Sequence, residues 1–471
     1  MATGKYRKLF ENTGLMFVGS FGSKIISFVM LPFYTMWLSV EDYGTSDMIN
    51  VCATVLMAIV SLSIGDAIFV IPSQKSKKEQ TSYFTSSLFF SILCIYALVL
   101  LYLVVSSLFS SSESVFFTNI LYICLITGTT LYTTIFQQFC KSIDKVKVFA
   151  FAGIIQTISV AGLGFLVIPT YKLDGYIWCI LVANVITIVF LFICAGLYKY
   201  ISIESFSVES LKEMFRYSIP LIPNSVIWLI VSYLNRPIME TSLGLYALGI
   251  FSLANRFPTL INTVYNTFSN SWQISILEQY GKEGFSSFYN KVSLVAFIAM
   301  SIFISLFALV TKPLVVLFLD SNYYESINYI PLLCLSCLFI SLGSMVGAIF
   351  SAVRQSKYFF YSSVWSAISA ILLNYILINH FGIYGACWAC VISYLVGGFS
   401  RIIYATKYNT FTYTIQILVI SILTTCVVCI MSYIGSFLWG ILFTLLLLAY
   451  ILIVAKQINL ISFVVGKIKR K

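Results

Sequence analysis

The chain has 471 residues, of which 60% are hydrophobic and only 10% charged, with a formal net charge of +11. Soluble domains hold roughly 25% charged residues, so these figures exclude a soluble globular protein and describe an all-α integral membrane protein with room for about a dozen or more crossings. The positive balance is not a nucleic-acid footprint: the basic residues sit in short segments between apolar runs, where they set topology and meet anionic headgroups.

Lys5, Arg7 and Lys8 precede an apolar run from Leu15 to Leu38. The run is too long for a signal peptide, carries Lys24 and Pro32, and lacks a small-x-small cleavage site, so it reads as a first permanent helix. Charges then divide the chain into fourteen apolar segments, at roughly 14–38, 45–71, 84–109, 116–140, 148–170, 175–198, 217–235, 245–276, 286–311, 329–353, 358–379, 383–404, 411–434 and 437–455. With the N-terminus inside, all but Lys24, Lys172, Arg236, Arg256 and Lys312 of the 28 Lys and Arg residues fall in inside segments. Lys172, Arg236 and Lys312 fall outside, Lys24 and Arg256 fall within the membrane, and both termini are cytoplasmic.

Between the sixth and seventh segments, Phe206, Leu211, Met214 and Phe215 interleave with Glu204, Glu209, Lys212 and Glu213, the pattern of an interfacial amphipathic helix. The halves on either side resemble each other. Leu163, Ile168, Gly175 and Trp178 match Leu373, Ile378, Gly385 and Trp388 at an offset of 210; Pro32, Leu38 and Gly44 match Pro237, Leu243 and Gly249 at an offset of 205. Chance likeness between apolar helices is the alternative. The repeated order favours two pseudo-symmetric six-helix lobes, residues 1–199 and 217–405, joined by a cytoplasmic linker at 200–216 and followed by helices 13 and 14 with a basic tail at 406–471. Three CxxC pairs, Cys334/Cys337, Cys387/Cys390 and Cys426/Cys429, lie inside apolar runs, and the single histidine, His380, falls on the far side of the membrane. They read as small hydrophobes, and no metal or cofactor is expected.

The eighth segment breaks the apolar pattern. Ser252, Asn255, Thr259, Asn262, Asn266, Asn270 and Gln273 recur at steps of three or four, which places them on one face of a helix beside Arg256. Such a face must meet a water-filled cavity or other protein, since hydrocarbon offers amides no partner. Interhelical gluing is the alternative. Thirty-two residues from Leu245 to Ile276 would span about 48 Å, more than a hydrocarbon core of about 30 Å, so this helix should tilt, bend at Pro258 or extend beyond the membrane.

KIISFVMLPFYTMWLSVEDYGTSD (Lys24 to Asp47) resembles the first-helix signature of the polysaccharide transport family, bacterial flippases of lipid-linked oligosaccharides. YSIPLIPNSV (Tyr217 to Val226), LGIFSLANRF (Leu248 to Phe257) followed by Ser271 and Trp272, and FGIYGACWACVISY (Phe381 to Tyr394) carry the same resemblance through the second half. One departure is Asn235-Arg236, where many relatives have Asp-Arg. The resemblance places the chain in the multidrug, oligosaccharidyl-lipid and polysaccharide exporter superfamily. It implies fourteen helices, two six-helix lobes in a V and alternating access in the bacterial inner membrane. The implied cargo is an undecaprenyl-diphosphate-linked repeat unit for O-antigen, capsule or exopolysaccharide. Implied partners are membrane lipids, H⁺ or Na⁺, and the polymerase and chain-length proteins of such a pathway.

Lys24 and Arg256, near mid-membrane, are the candidate diphosphate ligands, because charge-assisted hydrogen bonds are strong where the dielectric is low. Snorkelling of Lys24, and pairing of Arg256 with Asp47 or Asp66, are the alternatives. The amide face suits sugar hydroxyls, since Asn and Gln both donate and accept. The uncharged stretch between Lys407 and Lys456 suits an isoprenoid tail or plain lipid. Asp47 and Asp66 are the acids placed within the membrane and are ion-coupling candidates, with interface exposure as the alternative. A multidrug or metabolite antiporter of the same superfamily is the nearest rival. An enzyme is not expected: there is no GxxxxGK[ST] loop, and the outside acids are scattered.

Overall fold

Hydrocarbon satisfies no backbone polar group, and every regular element among the described residues is accordingly helical. The computed structural model describes residues 21–109 and 114–457. Lys5, Arg7 and Lys8, the start of the first expected helix and the basic tail from Lys467 lie outside the described residues. The chain divides into two compact units, one of Met1–Leu229 with Leu243–Gly249 and one of Ile230–Ser242 with Ile250–Lys471.

In the first unit, α1 (Leu31–Trp37) carries Pro32 in its first turn, where a missing N–H costs nothing. α2 (Val40–Val60) opens on a capping box: Ser39 Oγ accepts from the Asp42 N–H at 3.0 Å, and Asp42 accepts from the Ser39 N–H at 3.4 Å. The single helix expected over 45–71 is broken after α2. Leu62 (φ 46°) and Ser63 (φ 55°) take left-handed conformations before α3 (Ile64–Val70), and neither left-handed position is a glycine. α4 (Lys77–Leu108), the short α5 (Val115–Thr118), α6 (Ile120–Ser142) and α7 (Val146–Cys194) follow in the same unit. Ile64, Ile68, Phe84, Leu131, Ile135 and Phe139 are fully buried at its core, with Phe84 stacked on Phe139 at 4.3 Å.

The amphipathic stretch after α7 folds as α8 (Val208–Ser218) and seats on α4 of this unit. Ser210 and Ser82 share a hydrogen bond of 3.0 Å, Ser86 Oγ donates to Ser207 O at 3.1 Å, and Tyr83 donates to Glu213. Met214 is fully buried, and Phe215 meets Phe90 edge-on at 5.0 Å.

The second unit is built around α13 (Ile330–Ala352), which is buried along nearly its whole length. Around it stand α11 (Arg256–Gln279), α12 (Phe285–Phe318), α14 (Ser356–Ala405) and α15 (Thr414–Cys429), with α16 (Phe437–Gln457) against α15 and α12. α9 (Ile222–Tyr233) and α10 (Asn235–Ala254) are each cut short three residues ahead of a proline. Pro237 and Pro258 supply no N–H to Tyr233 O and Ala254 O, and the chain turns at Leu234 and at Asn255.

Among the described residues, ten helical stretches are long and apolar enough to cross a membrane, some of them merged across a break. α7 has 49 residues and would span about 74 Å if straight; it turns at Lys172 (φ 48°). α14 turns at Gly382 (φ 58°) and α10 at Gly244 (φ 83°). Divided there, and counted with the helix ending at Trp37, these stretches make fourteen.

The two long helices also share their internal geometry. Lys172 and Gly382 stand at the offset of 210 read from the sequence. Three residues on, a Cβ at Gly175 would lie 2.9 Å from Val167 O, and one at Gly385 would lie 1.9 Å from Leu377 O, the carbonyl eight residues back in both cases. Each glycine lets a helix double back against its own predecessor.

Candidate functional site

α11 packs one side into the second unit and leaves its amides on an exposed side, which they share with Ile274 and Leu277. Phe257, Ile261, Tyr265, Ser269, Trp272 and Ile276 are buried against α13. Tyr265 Oη donates to Ser341 O at 2.8 Å, Ser269 and Ser344 share a hydrogen bond of 2.8 Å, and Trp272 Nε1 donates to Met345 O at 3.1 Å. Thr259, Asn266, Asn270 and Gln273 are exposed on the opposite side, with Asn262 half-buried at its edge. Thr259 bonds to its own helix at Asn255 O, 3.0 Å away. Among the described residues, Asn266, Asn270 and Gln273 make no side-chain hydrogen bond, so their amides remain available to water or a ligand.

The face of seven expected from 245 to 276 is not continuous. Ser252 is buried at 1% exposure on α10, and Asn255 is the break residue itself, so the uninterrupted face begins at Thr259. Pro258 is the cause, by forcing the turn between α10 and α11. Asn262 differs from its neighbours. It lies beside Cys337, and its Oδ1 is buried with no hydrogen-bond partner. An orphaned buried acceptor is costly and calls for an explanation.

Arg256 is the first residue of α11 and is half-buried directly after the break. Lys24, in the first unit, is exposed on the helical stretch before α1. Asp47 is half-buried near the middle of α2, whereas Asp66 is exposed in the first turn of α3, beyond the break. The structure therefore puts the two acids on separate helical segments. Asp66 lies within electrostatic range of Lys141, whose ammonium stands 4.1 Å from the Phe149 ring centroid and donates to Gln138 Oε1 at 3.2 Å.

Two arginines counted from the sequence as topology charges, Arg236 outside and Arg401 inside, are buried within the second unit. Arg236 is 4% exposed; its Nη1 donates to Ser232 O (2.7 Å) and Asn235 Oδ1 (2.8 Å), and its guanidinium lies 5.3 Å from both the Tyr233 and Phe251 ring centroids. Asn235 in turn donates to Cys390 Sγ at 3.3 Å. Arg401 is 6% exposed; its Nε donates to Ser362 Oγ at 3.1 Å, and its guanidinium covers Phe359 at 4.3 Å. The signal was present in Gly343 and Gly347, small residues that leave room for that side chain. For Arg236 it was the proline that follows at once, which frees Tyr233 O and marks a break inside a helix, not a loop beyond one.

The family described as polysaccharide biosynthesis protein matches residues 9–273. An uncharacterized membrane protein of Methanocaldococcus jannaschii is 25% identical over 193 residues, covering 40% of this chain; the match spans under half of that relative, 45% of its length. Among solved structures, the lipid II flippase MurJ in an inward closed conformation has a TM-score of 0.70 at 18% identity, over 94% of this chain and 99% of that one. An inward-facing multidrug resistance MATE family transporter of the MOP superfamily has a TM-score of 0.64 at 15% identity, over 84% of this chain and 95% of that one. A MATE protein in its straight conformation has a TM-score of 0.60 at 15% identity, over 88% and 96%. With its helical breaks, repeated glycines and buried arginines on this shared fold, the chain belongs to the polysaccharide biosynthesis protein family of multi-pass membrane proteins.

Proposed function

We propose that this protein is a flippase that moves undecaprenyl-diphosphate-linked oligosaccharide repeat units from the cytoplasmic to the outer leaflet of a bacterial inner membrane, by ion-coupled alternating access. The observation that carries the reading is the amide face of α11: Asn266, Asn270 and Gln273 offer unspent donors and acceptors on a helix whose other side is packed into an apolar unit. That is the chemistry a sugar needs from a wall that must also let it go. In this reading Thr259, Asn262, Asn266, Asn270 and Gln273 meet the sugar, with Ser252 and Asn255 supporting the break above them. Arg256 and Lys24 meet the diphosphate. Asp47 and Asp66 are the candidates for H⁺ or Na⁺, and Lys141 supplies the charge against which Asp66 would titrate. Both termini are cytoplasmic. The six-helix lobes are 1–199 and 217–405, and a polymerase and a chain-length protein receive the product.

The MATE similarity favours a second reading, a cation-coupled multidrug or metabolite antiporter. Deletion of the gene separates the two. Accumulation of lipid-linked repeat units on the cytoplasmic face, with loss of surface polysaccharide, is the expected result. Unchanged lipid-linked sugars with altered drug tolerance would replace the flippase reading by the antiporter.

A further inference from the structure

Glu325 is the last acidic residue; from there to the C-terminus the sequence holds nine Lys and Arg residues and no Asp or Glu. Two of those bases converge on one ring at a corner of the second unit. Lys357 Nζ lies 5.2 Å and Lys407 Nζ 5.3 Å from the ring centroid of Tyr358, and both lysines are exposed. Exposed Arg354, held in a left-handed conformation (φ 56°), stands in the turn just before them.

The ring they share is not isolated. Tyr404 and Tyr408 lie 5.4 Å and 6.0 Å from Tyr358, ring centroid to ring centroid, and Trp365 Nε1 donates to Tyr404 Oη at 3.2 Å. Two ammonium groups on one phenol repel each other and favour any anion placed between them. Phenol hydroxyls beside them add donors. The surface beside these rings is apolar, with Trp365 52% exposed before the Gly382 turn of α14 and Ile403 67% exposed after it. A charged head with hydroxyl partners above, and open aromatic and aliphatic surface below, matches an amphiphile and not a soluble anion.

We propose that this corner binds the phosphate headgroup of an anionic phospholipid, its acyl chains running along Trp365 and Ile403. The inference is independent of what the protein transports. Each lysine near a membrane surface is worth roughly 1 kcal/mol toward an anionic lipid, so the pair should give about tenfold or more preference over a zwitterionic one, weakening with salt.

Native mass spectrometry of the full chain, titrated with phosphatidylglycerol or phosphatidylcholine, tests this. Wild type should retain phosphatidylglycerol at about tenfold lower concentration. The Lys357→Gln/Lys407→Gln variant should lose that preference while eluting like wild type in gel filtration, and Lys357→Arg/Lys407→Arg should keep it. Lys147→Gln, an exposed lysine of the first unit, should change nothing. An undiminished preference in the double Gln variant, or an equal loss in Lys147→Gln, overturns the site. Displacement of phosphatidylglycerol by inorganic phosphate alone overturns its lipid character. Displacement by stoichiometric undecaprenyl diphosphate would hand the site to the cargo and overturn it as a phospholipid site.

Discussion

Gly44 and Gly249 lie backbone against backbone in the first unit: a Cβ on Gly44 would stand 2.4 Å from Leu245 O, and one on Gly249 would stand 2.0 Å from Val40 O. These are the two glycines that the internal repeat pairs at an offset of 205. Equivalent positions of the two halves are thus small because each is the other's neighbour. The obstructing atoms are main-chain, so no rotamer change relieves the clash. Gly249→Ala and Gly44→Ala should each destabilise by about 1–3 kcal/mol or abolish folding. Gly162→Ala, with nothing within 4 Å of its Cβ, should be neutral or gain up to about 1 kcal/mol of helix propensity. Thermal unfolding of the three variants in detergent checks this, and equal melting of all three would remove the packing argument.

The crossings and the repeat were legible because they follow from local quantities. Apolar run length marks a span, Pro237 and Pro258 each mark a break three residues earlier, and paired glycines mark a close approach. What was not legible depends on tertiary neighbours. Arg236 and Arg401 count as topology charges until the structure shows carbonyls, a serine and ring faces around them. The break at Leu62 and Ser63 has no residue that requires it. Spacing placed Ser252 on the polar face, but a proline six residues later moved it off. For the candidate site, periodicity found the amide face of α11 and missed the buried acceptor of Asn262, whose orphaning depends on what surrounds it.

Arg236 makes a prediction that separates charge from shape. Its fork satisfies Ser232 O and Asn235 Oδ1 while its plane covers two rings. Arg236→Lys keeps the charge but not the fork, so it should still lose about 1–3 kcal/mol, close to the loss in Arg236→Gln. Melting temperatures of the two variants decide the matter. A lysine variant as stable as wild type would mean that charge alone is needed there.

Docking of α8 on α4 rests on few bonds for its length. Tyr83 to Glu213, Ser82 to Ser210 and Ser86 to Ser207 are its polar contacts, with Met214 and Phe215 beneath. Glu213→Ala removes the acceptor of a half-buried charge-assisted bond, worth roughly 1.5–3 kcal/mol. Amide exchange across 208–218 should then rise about tenfold or more while exchange in α13 stays unchanged. Unaltered exchange over α8 would show that its apolar side alone holds it.

The two sides of α11 should fail differently. Trp272→Ala removes a buried ring and its bond to Met345 O, and should cost about 3–5 kcal/mol, seen as lost expression or a lower melting temperature. Asn266→Leu and Asn270→Leu alter only exposed positions, so stability should move by no more than about 0.5 kcal/mol. If sugar hydroxyls travel along this face, each leucine removes the donors and acceptors that would replace water around the cargo. Transfer of a lipid-linked repeat unit across reconstituted vesicles should then fall about tenfold per position, for roughly 1–1.5 kcal/mol of lost hydrogen bonding. Gln273→Glu adds a charge at the same face and should repel a diphosphate-linked cargo while leaving the melting temperature unchanged. Transport that survives all three exposed substitutions would move the cargo path off α11, and instability in the leucine variants would make this face a packing surface instead.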